Sequence, residues 1–221
     1  MCKKKITKEE LIEAVDSDFA VHSEILPILR YEAPKLGNND DFVDSIATEL
    51  LDAFAASLAG NRNCRGGGFR AGTGSAMYYL RHADEIGASP DGRRKGEPFS
   101  ANYSPSLFAK TGGPMSIIAS FTKPDLTKTC NGGPLTLEFD GGMFDSDEAI
   151  SKVARLVKSF IDMGGHQLQL NAVNPEALRD AQLHPEKYEQ LIVRIWGWSA
   201  YFTELDRGFQ DHVIARQEYT I

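Results

Sequence analysis

The chain has few cysteines. Its three, Cys2, Cys64 and Cys130, are scattered along 221 residues. An odd, dispersed set argues against a disulfide framework and for a reducing, cytoplasmic setting. No pair has Cys-x-x-Cys spacing, so no zinc or iron–sulfur signature is present. No apolar run approaches the roughly 20 residues that span a bilayer. The first ten residues, Met1 to Glu10, lack the apolar stretch of a signal peptide. Basic residues are outnumbered, 24 Lys plus Arg against 31 Asp plus Glu, for a net charge of −7. That balance points away from nucleic-acid and membrane partners. There is no internal repeat and no low-complexity tract. A glycine/arginine-rich stretch, residues 65–75, holds no lysine and so cannot form the Walker phosphate loop. Its Gly72-Thr73-Gly74 is followed by Ser75-Ala76-Met77, not by the spacing of a dinucleotide fingerprint.

What the chain does have is enough apolar material, 42% hydrophobic with 10% aromatic residues, to build one domain or two small ones. Thr7-Lys8-Glu9-Glu10 is a capping box opening a helix through Leu11, Ile12 and Val15. A second helical run, near His22–Arg30, is expected to be interrupted by Pro27. Asp40 or Asp41 caps the most strongly patterned helix, in which Phe42, Ile46, Leu50, Phe54 and Leu58 recur every four residues; Gly60 ends it. A short helix is expected over Ala76–Ala83 and a long loop over residues 87–115. Strands are expected over Met115–Phe121 and Leu135–Phe139. Asp145-Ser146-Asp147-Glu148 caps a helix carrying Val153, Val157 and Phe160, stopped by Gly164-Gly165. Gln167–Val173 alternates as a strand does. Asn174-Pro175 starts a helix with Pro at its first position, and further helices are expected over Pro185–Ile192 and Thr203–Arg216. Strands alternating with helices indicate the α/β class.

Both tryptophans fall in one stretch, Arg194-Ile195-Trp196-Gly197-Trp198-Ser199-Ala200-Tyr201-Phe202. This resembles the C-terminal radical loop of the glycyl radical enzymes, the superfamily of pyruvate formate-lyase and its dehydratase, decarboxylase and lyase relatives. There an Arg-Val-x-Gly-aromatic pattern surrounds a glycine that stores a backbone radical. Upstream blocks resemble the same family in the same order: Pro34-Lys35-Leu36-Gly37-Asn38-Asn39-Asp40, Phe69–Leu80, Gly92-Arg93-Arg94-Lys95-Gly96-Glu97-Pro98, Gly164–Asn171 and Asp180–Tyr188. Ile195 replaces the usual valine. Trp198 stands where pyruvate formate-lyase itself has tyrosine, so the resemblance is to the wider family.

The resemblance implies the C-terminal part of a ten-stranded α/β barrel, with a mostly helical segment over residues 1–95 and a glycine radical domain over 96–221. Within it, 194–202 is the radical loop. Gly197 is the implied radical site. A Cα radical is stabilised when it is planar and conjugated with both flanking amides, a geometry that a residue without Cβ reaches unstrained. Arg194, Trp196, Trp198, Ser199 and Tyr201 are the implied loop supports, with the tryptophans shielding the loop from solvent. His166, Gln167 and Gln169 are candidates to line the barrel interior, with a satisfied histidine at the strand edge the preferred reading of His166.

No bound cofactor or metal is implied. The radical is installed by a radical S-adenosylmethionine activating enzyme, which is one implied partner. The family's catalytic cysteine, set in a Gly-Cys-hydrophobic-Glu type motif, has no counterpart: Cys64 lies in Asn63-Cys64-Arg65 and Cys130 in Thr129-Cys130-Asn131. A cysteine-bearing barrel portion is therefore the second implied partner, and a homo-oligomer is compatible. The family cleaves C–C or C–X bonds, as formate acetyltransferases, dehydratases or decarboxylases do. A spare-part subunit that renews the glycine loop of an oxygen-damaged lyase, and an inactive structural chain, are the alternatives. Part of a barrel leaves sheet edges and apolar surface open.

Overall fold

The computed structural model describes residues 6–140, 144, 146–195, 198–215 and 218–219. Cys2, Asp145, Trp196, Gly197 and Arg216 lie outside the described residues. Four helices come first: α1 (Lys8–Asp16), α2 (Ile25–Tyr31), α3 (Asp41–Leu58) and the single turn α4 (Tyr78–Arg81). The expected capping box of α1 forms, with the Thr7 hydroxyl accepting from the Glu10 amide at 3.2 Å and Glu10 Oε2 accepting from the Thr7 amide at 2.9 Å. Pro27 is tolerated because it sits in the first turn of α2, where its missing N–H has no helical partner to lose. Asp40 caps α3 by accepting from the Phe42 amide at 2.9 Å. After α4 the chain runs through residues 87–113 without helix or strand, as the prolines there predict.

Helix α5 (Pro114–Phe121) replaces the strand expected over Met115–Phe121. Pro114 at its first position fixes a helical φ. Ile117, Ile118 and Phe121 then meet the core along one side of the helix, which the run of apolar residues concealed. Next come β1 (Leu135–Asp140), α6 (Asp147–Asp162), β2 (Leu168–Val173) and α7 (Pro175–Leu183). Ser146 caps α6 through the Ala149 amide, and Asn174 caps α7 through the amides of Glu176 and Ala177. The helix expected over Pro185–Ile192 is only a 3-10 turn at Pro185–Lys187; Tyr188 leaves helical geometry and donates its hydroxyl to Asp180 at 2.8 Å. The last elements are β3 (Ile192–Arg194), β4 (Ser199–Tyr201), α8 (Arg207–Ile214) and β5 (Glu218–Tyr219). Helix α8 is shorter than the expected Thr203–Arg216, because Phe202–Glu204 forms a separate 3-10 turn.

The main sheet is parallel, in the order β2-β1-β5, with Leu135 opposite Leu168 and Glu138 opposite Asn171. Its two faces differ. Leu135, Leu137 and Phe139 point to the face covered by α5 and α6, where Ile117, Ile118, Phe121, Val153, Leu156 and Phe160 complete a core. The opposite face is polar: Glu138 is buried there, accepting from Asn171 Nδ2 at 2.8 Å. A second core gathers Tyr79, Ala101, Leu178, Ala181, Val193, Ile195, Phe202 and Val213 beneath the β3–β4 hairpin.

Candidate functional site

Strands β3 and β4 pair antiparallel, Ile192 with Tyr201, Val193 with Ala200 and Arg194 with Ser199. The Ile195 amide then donates to the Trp198 carbonyl at 2.9 Å. The hairpin is thus defined up to the residues on either side of Trp196 and Gly197. Its underside is anchored by burial: Val193, Ile195 and Phe202 are all enclosed in the second core. Burying side chains of this size contributes about 1.5–3 kcal/mol each, which fixes the hairpin on α7 and α8.

Hydrogen bonds fix the same element at its exit. The Phe202 amide donates to the Leu191 carbonyl at 2.7 Å. The buried Gln210 of α8 donates from Nε2 to the carbonyls of Phe202 at 3.0 Å and Leu205 at 3.1 Å. Beside it, His212 Nδ1 lies 3.4 Å from the buried Tyr79 hydroxyl. None of Gln210, His212 and Tyr79 stands out in the sequence as a loop support. The signal available was helical spacing, since Gln210 and Val213 share the inward side of α8.

The upper side of the hairpin is polar. Arg194 donates from a terminal guanidinium nitrogen to Ser199 Oγ at 3.2 Å, directly across the strand pair. Trp198 sets its ring edge-on to Phe209 of α8, with centroids 6.5 Å apart, and keeps 38% of its surface exposed. Tyr201 is exposed.

From the sheet, Gln169 Nε2 reaches the Ile195 carbonyl at 3.5 Å and Asn171 Oδ1 at 3.2 Å. A polar row, Glu138, Asn171, Gln169, leads from the central strand to the hairpin. The three candidates for an interior lining separate, and His166 takes the preferred strand-edge position just before β2. His166 stacks at a tilt on Phe121, ring centroids 5.7 Å apart, and burial pushes its pKa down. Gln167 accepts from the Gly133 amide at 3.2 Å. Only Gln169 approaches the hairpin.

Cys64 and Cys130 are exposed free thiols. Cys130 shares a shallow cavity of about 420 Å³ with Thr127, Gly132 and His166. Among the described residues no cluster of His, Cys, Asp or Glu has the makings of a metal site. No helix among them is long and apolar enough to cross a membrane.

Comparison with known proteins agrees with this geometry. The glycine radical family model matches residues 99–203, which include the hairpin, and the pyruvate formate lyase-like model matches residues 2–80. The chain is 34% identical over 218 residues to trans-4-hydroxy-L-proline dehydratase of Clostridioides difficile, covering 99% of this chain and 28% of the relative. It is 34% identical over 200 residues to indoleacetate decarboxylase of Tractidigestivibacter scatoligenes, covering 90% of this chain and 22% of the relative. Among solved structures, the B12-independent glycerol dehydratase of Clostridium butyricum superposes with a TM-score of 0.92 at 34% identity, over 98% of this chain and 27% of that one. The substrate-bound hydroxyproline dehydratase of C. difficile gives 0.91 at 33%, over 96% and 27%. The chain thus spans about a quarter of the length of the relatives it matches, and it belongs to the glycyl radical enzyme family, corresponding to the C-terminal portion that carries the glycine radical domain.

Proposed function

We propose that this chain is the radical-storing portion of a glycyl radical enzyme that cleaves C–C or C–X bonds, with Gly197 as the radical site. The observation that carries the reading is the position of Gly197. It falls in the matched glycine radical region, between Ile195 and Trp198, whose backbones are paired in a hairpin anchored on its own core.

In this reading a radical S-adenosylmethionine activating enzyme supplies one electron to S-adenosylmethionine, giving methionine and a deoxyadenosyl radical. That radical takes one hydrogen atom from Gly197 Cα and leaves as deoxyadenosine. The hard chemistry belongs to the activating enzyme, and this chain supplies position and shielding. Buried Ile195 and Phe202 hold the hairpin, Arg194 and Ser199 tie its strands, Trp198 covers one side, and Trp196 and Tyr201 complete the support. Catalysis then needs a cysteine thiol whose hydrogen passes to Gly197 Cα, leaving a thiyl radical to attack substrate. No cysteine here has the family's motif, so the thiol comes from the remaining barrel portion. Relatives that are dehydratases, decarboxylases and sulfite-lyases support C–C or C–X cleavage as the class.

The test is anaerobic electron paramagnetic resonance after incubation with an activating enzyme, S-adenosylmethionine and reductant. A glycyl doublet in the wild type, absent from Gly197→Ala and followed by backbone cleavage near Gly197 on exposure to air, is expected. A silent chain, with an activating enzyme that works on another member of the family, overturns the reading.

A further inference from the structure

Helix α3 leaves much of its apolar surface uncovered, and its one buried residue is acidic. Asp44 is fully buried, accepts from Ser120 Oγ at 3.1 Å and pairs with Lys123 Nζ at 2.7 Å. Asp41 pairs with the same ammonium at 2.7 Å, and Asp52 pairs with Lys128 at 2.9 Å. Its apolar stripe faces outward: Phe42 is 69% exposed, Ile46 47%, Leu50 67% and Phe54 45%. Residues four apart lie on one side of a helix, so these four form a continuous ridge. Isolated exposed apolar residues are ordinary, but an ordered ridge of this kind marks an interaction surface.

We propose that this ridge is the docking surface for the cysteine-bearing barrel portion of the enzyme, a partner that presents an apolar groove. The proposal rests on the reading of the chain as the radical-storing portion, and it names the face through which that portion meets the rest. Two observations identify the occupant. The same fold occurs, at TM-scores of 0.91 and 0.92, inside solved relatives of which it makes up only 27%, so most of each relative is available to cover a face left bare here. In addition, α3 belongs to the region matched by the pyruvate formate lyase-like model, residues 2–80, and not to the glycine radical region.

The test is co-expression of this chain with C. difficile trans-4-hydroxy-L-proline dehydratase lacking the 28% matched here. A control pairs that truncated dehydratase with its own missing portion. A photo-crosslinking benzoylphenylalanine is placed at position 50, and Leu50→Glu and Phe42→Glu serve as variants, with circular dichroism to show that they remain folded. The expected result is a 1:1 complex, a crosslink from position 50 into the dehydratase portion, and at least tenfold less complex with either variant. A control complex without one for this chain, a complex indifferent to both variants, or a crosslink joining two copies of this chain overturns the proposal. The outcomes separate from those of the radical reading: a complex without a glycyl doublet refutes Gly197, and a doublet without the complex refutes the ridge.

Discussion

Arg194 and Ser199 are register partners across the β3–β4 hairpin, their side chains joined by a 3.2 Å hydrogen bond two residues before Trp196 and two after Gly197. The bond ties the strands at the last pair flanked by regular structure. Being solvent-facing, it contributes about 1 kcal/mol or less to stability. Ser199→Ala and Arg194→Met are therefore expected to fold normally. If the hairpin presents Gly197, each variant lowers the glycyl signal by up to about tenfold, the equivalent of one such bond. The double variant should be no worse than either single one, since both remove the same contact. Spin quantitation beside urea denaturation checks both halves, and additive losses would show that the two residues act separately.

Gln210 is the interior counterpart of that tie. Its buried amide donates to the carbonyls of Phe202 and Leu205 where the chain leaves the hairpin. Gln210→Leu keeps the volume and leaves both carbonyls without that donor. The expected loss is about 1–3 kcal/mol, measured as a lower urea midpoint at unchanged slope. Faster hydrogen exchange should be confined to residues 199–205. A uniform increase in exchange across the protein would instead place Gln210 in global stability alone.

Most elements were legible because local chemistry decides them. Thr7, Asp40, Ser146 and Asn174 each cap the helix their side chains announce, and β1 and β2 follow the alternation of their sequences. Met115–Phe121 misleads because seven mostly apolar residues read equally well as a buried strand or helix. Pro114 was the discriminating signal. Strand β4 has an exposed, half-buried, exposed pattern, too short to register as a period. Gly197 is proposed from pattern and neighbours, yet the residues that hold the surrounding hairpin, Gln210 and Phe202, come from a helix and a turn whose contacts are long-range. Periodicity revealed the α3 stripe but not its direction. The acidic residues that turn it outward are neutralised by Lys123 and Lys128, some 80 residues away in sequence.

Gly92 tests whether the arginine-rich turn is built around a close approach. Its φ is +95°, and a Cβ there would lie 2.6 Å from Arg30 Cγ and 3.2 Å from the Arg30 amide nitrogen. Arg30 is held in place, donating from Nε to the Gly92 carbonyl at 2.6 Å and pairing with Glu97. Gly60 supplies the comparison, with φ of +79° and no atom within 4 Å of its Cβ position. Gly60→Ala is expected to cost about 1–2 kcal/mol, the left-handed penalty alone. Gly92→Ala adds overpacking for a total of about 2–4 kcal/mol. Equal losses in thermal or urea unfolding would mean that Arg30 moves aside freely.

The attachment of α3 carries a pH signature. The hydrogen bond from Lys123, and then its charge, hold the Asp41 carboxyl below its ordinary value of 3.8. Burial opposes the Lys123 charge, but its bonds to Asp41 and Asp44 outweigh that and hold the ammonium above its ordinary 10.5. A lowered carboxylate value stabilises the fold above the unfolded value and loses that contribution as pH falls through the folded one. A raised ammonium value stabilises below the unfolded value and loses its contribution as pH rises through the folded one. The stability difference between wild type and Lys123→Met should therefore be flat from about pH 5 to pH 10 and shrink beyond both ends. Lys123→Met also strands the buried Asp44, leaving it Ser120 as its hydrogen-bond donor among the described residues, at 3.1 Å, so a plateau of about 1–3 kcal/mol is expected. A difference that stays constant down to pH 3 would show that the Asp41–Lys123 pair contributes nothing to the seating of α3, and that Asp44 alone fixes which way its apolar ridge faces.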